Sequence, residues 1–87
     1  TSRLPEKSEV LVEVNKKQQR ATLTVNGGSL KEGFQWEWFI LEPEERVLFK
    51  GPKYNFDYNL VKKVNLRFQG GCDFFNNYLT FENFENE

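Results

Sequence analysis

The sequence predicts an all-β sandwich of about seven short antiparallel strands. Every apolar run has a period of two, turn-forming residues interrupt the runs about every 8–12 positions, and β-branched and aromatic side chains dominate them. A helix would need apolar residues three and four positions apart, and no stretch of useful length shows that spacing.

Residues 1–8 are polar, contain Pro5 and read as a flexible lead-in; a single domain is expected over 9–84, with a frayed tail at 85–87. In the first strand, about 9–14, Val10, Val12 and Val14 alternate with Glu9, Leu11 and Glu13. A polar turn over Asn15 to Gln19 leads into a second strand at about 20–26, where Ala21, Leu23 and Val25 alternate with Arg20, Thr22 and Thr24. Asn26-Gly27-Gly28 stops that pattern with residues that tolerate positive φ. Phe34, Trp36, Trp38 and Ile40 then share one face of the most apolar strand. Phe39 and Leu41 make its other face apolar near the end, so this strand is expected to be central and covered on both sides.

Glu42-Pro43-Glu44-Glu45 turns the chain, and Val47 and Phe49 share a face of the strand that follows. Gly51-Pro52 breaks it, Tyr54, Phe56 and Tyr58 alternate again, and Asn59 to Lys62 is a connection. Val64, Leu66 and Phe68 alternate with Asn65, Arg67 and Gln69; Gly70-Gly71 turns the chain; a last strand runs from about Phe74 to Phe81. The core is therefore expected at Leu23, Val25, Trp36, Trp38, Tyr54, Phe56, Val64, Leu66 and Phe68.

A chain of 87 residues has room for one core. Folding at this size buries roughly 60–65% of the unfolded surface, so the core must be dense. Nine Phe, three Tyr and two Trp supply that density, since each aromatic buries about 150–250 Å². Twelve Lys and Arg against 13 Asp and Glu give a net charge of -1 without a clustered basic face, which argues against nucleic acid as a partner. His is absent, removing the commonest general base and transition-metal ligand. The single Cys72 has no internal disulfide partner and leaves the redox compartment open. No run approaches the roughly 18–20 apolar residues of a membrane span, and Thr1 opens no signal-like segment; the missing initiator Met points to a piece of a longer chain.

From Ala21 to about Phe81 the order of features resembles the PKD (polycystic kidney disease) family of immunoglobulin-like modules. Ala21-Thr22-Leu23-Thr24-Val25-Asn26-Gly27 is similar to the family's apolar strand ending in Asn-Gly, and Trp36-Glu37-Trp38 to its spaced aromatic pair. Pro52-Lys53-Tyr54-Asn55-Phe56, Val64-Asn65-Leu66-Arg67-Phe68 and Gly70-Gly71-Cys72 resemble the segments that follow. Phe39-Ile40-Leu41 stands where such modules carry Gly-Asp-Gly, and Leu60-Val61-Lys62 where they carry Gly-x-Tyr. The resemblance implies an immunoglobulin-like, PKD-like sandwich in an extracellular or cell-envelope protein, serving as a spacer or interaction module. The Phe, Asn, Lys and Glu usage is also similar to that of bacterial envelope proteins.

Trp36 and Trp38 share the face of Phe34 and Ile40 and are expected to pack inside; Phe39, Tyr58, Phe75 and Tyr78 are the candidates for an exposed interaction or sugar-stacking surface. The acidic turn at Glu42, Glu44 and Glu45 lacks the alternating Asp or Asn and the Gly of calcium loops, so no metal is expected there. Neither Glu37 with Glu13 nor Asp57 with Asp73 has a spacing that supports a catalytic carboxylate pair, and no enzymatic role or cofactor is expected. The expected function is noncatalytic contact with another protein or a neighbouring domain. The alternatives are a carbohydrate-binding module beside a hydrolase and an assembly domain of a cell-surface secretion or adhesion machine.

Overall fold

The computed structural model describes residues 3–69 and 77–86. Seven strands follow one another: β1 (Val10–Asn15), β2 (Arg20–Val25), β3 (Gln35–Ile40), β4 (Arg46–Lys50), β5 (Lys53–Asp57), β6 (Lys63–Gln69) and β7 (Leu79–Glu82). All described ladders are antiparallel, and the strands form a three-stranded sheet, β1-β2-β5, and a four-stranded sheet, β4-β3-β6-β7. The strands thus form a two-sheet all-β sandwich in which the fourth strand joins the sheet of the third. Among the described residues, regular helix is confined to two 3₁₀ turns, Lys7–Glu9 and Phe84–Asn86, and no helix is long and apolar enough to cross a membrane.

The period-two pattern sets which face is covered. Ala21, Leu23 and Phe56 of the smaller sheet meet Trp36, Trp38, Val64, Leu66, Phe68 and Phe81 of the larger one in a single buried cluster. Expected core residues Val25 and Tyr54 lie half-buried at its margin. Trp38 is fully buried, stacks on Tyr54 at 6.0 Å, and its indole N–H donates to the Gly51 carbonyl at 2.8 Å. That bond ties the central strand to the β4–β5 connection and satisfies a donor that would be costly to bury alone. Gly51 holds φ at 142°, and a Cβ there would come within 3.2 Å of the Phe49 ring, so the turn needs glycine.

Three expectations are corrected. Residues 3–9 are docked: Arg3 and Ser29 exchange backbone hydrogen bonds at 2.8 and 3.0 Å, Leu4 packs on the core, and Pro5 is buried. At the other end, where 85–87 are expected to fray, Phe84–Asn86 form a 3₁₀ turn whose Phe84 ring is buried against Phe56 at 5.0 Å and whose Glu85 accepts from Lys62 at 2.9 Å; residue 87 lies outside the described residues. The third correction concerns Val47 and Phe49, which do not share a face. A bulge between Trp38 and Phe39 makes Leu48 the extra residue, placing Phe49 opposite Trp38 and Val47 opposite Phe39. Phe74, at the start of the expected last strand, lies outside the described residues.

Candidate interaction surface

Two regions lie at or beyond the margin of the core, and Leu48 and Val61 of the second also pack against it. The first is the outer face of the four-stranded sheet, built from the outward positions of β3 and β6. Glu37 stands opposite Arg67 in the β3–β6 ladder, and the guanidinium donates to Glu37 Oε1 from Nε at 3.0 Å and from Nη2 at 2.7 Å. Glu45 adds weaker contacts to the same guanidinium at 3.4 and 3.5 Å. With its amide nitrogen turned toward the carboxylate, Gln69 reaches Glu37 Oε1 at 2.9 Å and Oε2 at 2.7 Å. Burial works against the Arg67 charge, but the hydrogen bonds and charges of Glu37 and Glu45 outweigh it and hold the pKa above the ordinary guanidinium value. Beside this cluster, buried Asn65 donates to the Phe39 carbonyl at 3.2 Å and accepts from Thr80 Oγ1 at 2.7 Å.

The guanidinium also lies 4.0 Å from the centre of the Phe39 ring, and Tyr78 meets that ring edge-on at 5.6 Å. Phe39 is therefore 1% exposed although it occupies the outward register. This corrects its expected role as an exposed platform: a cation and a phenol cover it. Tyr58 is corrected too, at 5% exposure, because it continues the inward phase of Tyr54 and Phe56 past the end of β5. Tyr78 is the expected surface aromatic that stays open, at 44%. Phe75, Cys72 and Asp73 lie outside the described residues.

The carboxylates do not form the pairs considered for hydrolysis. Glu37 is bound by Arg67 on the outer face of one sheet, whereas Glu13 occupies an outward position of β1 on the other. Asp57 accepts the Asn59 N–H at 2.8 Å and starts the turn toward β6. Among the described residues no group of three or more Cys, Asp or Glu is placed to hold a metal ion.

The second region is an open groove of about 360 Å³ between the start of β4 and the β5–β6 connection. Ile40, Leu41, Leu48, Leu60 and Val61 give it an apolar floor, and Arg46, Lys62, Lys63 and Glu42 stand around it. Of these, Leu60 is 83% exposed and Leu41 is 38% exposed. The bulge turns Leu48 toward this groove, and the bonds from Leu60 N–H and Val61 N–H to the Asp57 carbonyl, both 3.0 Å, fix the opposite wall. Periodicity could not find this region, since Leu60 lies in a connection and Leu48 is out of phase with its strand.

Compared with protein-family models, curated proteins and solved structures, the chain has no significant match. The candidate surface therefore rests on the geometry above.

Proposed function

We propose that the chain is a noncatalytic interaction domain of a larger cell-envelope or secreted protein, and that it makes its protein contacts through the apolar groove beside β4. The observation that carries this reading is the exposure of Leu60, 83%, on a groove whose other apolar walls are Leu41, Leu48 and Val61. Single exposed apolar residues are ordinary, but a contiguous apolar surface with a polar rim is what protein contacts use. The resemblance to PKD modules supports the same class of function. A sugar-stacking surface is less well supported, because Phe39 and Tyr58 are buried.

Site-specific photo-crosslinking tests the proposal. A benzophenone side chain is placed at position 60, or at Lys16 in the exposed β1–β2 turn as a control, and the chain is expressed within its parent protein in the source cells. The expected result is a discrete protein adduct from position 60 that the control lacks and that Leu41→Ser removes. Equal adducts from both positions, or none from position 60, would overturn the reading.

A further inference from the structure

Resting on that reading, we propose that the partner binds as an added strand: an extended, acid-flanked segment of another protein pairs with the free edge of β4 and places an apolar side chain in the groove. β4 is an edge strand, and its Val47 and Phe49 are 38% and 44% exposed. The Gly51 N–H points into the sheet, donating to the Trp36 carbonyl at 2.8 Å. Successive N–H groups of a strand point to opposite edges, so the N–H and C=O of Lys50 face outward, where a new strand would meet them. In the middle of β4, the bulge places Leu48 on the groove, giving an added strand a pocket for an alternate side chain.

The charges choose the occupant. Arg46 and Lys50 bracket β4, and neither makes an ion pair among the described residues. A second copy pairing antiparallel about Leu48 would set each Arg46 against the other copy's Lys50, and like charges directly opposite are destabilising. Basic residues on an edge strand ordinarily guard against indiscriminate pairing. Here they flank exposed apolar side chains, so they reject a second copy and favour a segment with carboxylates at matching positions.

The test uses two synthetic peptides that share an alternating Val/Thr centre, one flanked by Glu and the other by Lys, titrated into the isotope-labelled chain and followed by amide NMR. The Glu-flanked peptide is expected to shift the amides of β4 and slow hydrogen exchange at Lys50. It should bind about tenfold more tightly than the Lys-flanked peptide, and Arg46→Glu with Lys50→Glu should reverse that preference. A Glu-flanked peptide with a central Pro, which removes a ladder donor, should bind more weakly than its parent. Equal binding of the charged peptides, shifts confined to other strands, no shifts at millimolar peptide, or dimerisation of the free chain through β4 would each overturn the inference. If the peptides are silent while position 60 still crosslinks, strand addition is wrong and the interaction reading stands; loss of both signals removes both.

Discussion

Arg67 holds the outer face of the four-stranded sheet together through two carboxylates and one aromatic ring. Glu37 is 2% exposed, and its Oε1 accepts two hydrogen bonds from that guanidinium. Breaking a buried pair from one side leaves an uncompensated charge, which costs about 3–5 kcal/mol, whereas replacing both partners with apolar groups is often close to neutral. Arg67→Met is therefore expected to lower unfolding stability by about 3–5 kcal/mol, and adding Glu37→Met should recover more than half of it. Urea denaturation of the two variants checks this. Additive losses would mean that the pair is not coupled. Sequence periodicity places Glu37, Phe39 and Arg67 on the outward register correctly, but it carries no information about what lies across the ladder. Phe39 was expected to be exposed because alternation reports direction, while its burial depends on the guanidinium above it.

The strands were legible as elements because alternating Val, Leu, Thr and aromatic residues leave one phase that buries apolar surface, as in Val64, Leu66 and Phe68 of β6. The bulge in β4 was not legible, since Val47 and Phe49 fit a plain alternating strand equally well. Docking of residues 3–9 was hidden for another reason: it depends on polar contacts across sequence. Glu9 accepts from Arg3 at 3.1 Å and from the Glu6 N–H at 2.9 Å, and its side chain fills the space that a Cβ on Gly27 would need. The Arg3 hydrogen bond first, then the Glu6 backbone bond, hold the Glu9 carboxyl below its ordinary pKa. A depressed folded-state pKa contributes stability above the unfolded pKa that is lost as pH falls through the folded one. Acidification below the usual carboxylate range is thus expected to loosen residues 3–9 before the strands unfold, seen as faster hydrogen exchange at the Arg3 N–H. Glu9→Gln should remove that pH dependence; an unchanged acid response would assign it to another carboxyl.

At the scale of the molecule, one aromatic network joins the two sheets, running through Phe49, Tyr54, Phe56 and Phe84 with Trp38 stacked on Tyr54. The fold class and most of the core could be read in advance because that network follows the inward phase of the strands. The candidate surface could not, because it forms where the end of one sheet meets a connection from the other. Among the described residues six large apolar side chains are exposed, and two of them, Leu41 and Leu60, line the groove beside β4. The central claim is that this apolar surface serves a partner and not the fold. The most direct measurement is the unfolding free energy of Leu60→Asp by urea denaturation. An exposed contact residue predicts a value within about 0.5 kcal/mol of the parent chain. A loss of about 2 kcal/mol or more, the scale of removing a buried leucine, would contradict the account and assign Leu60 to the core.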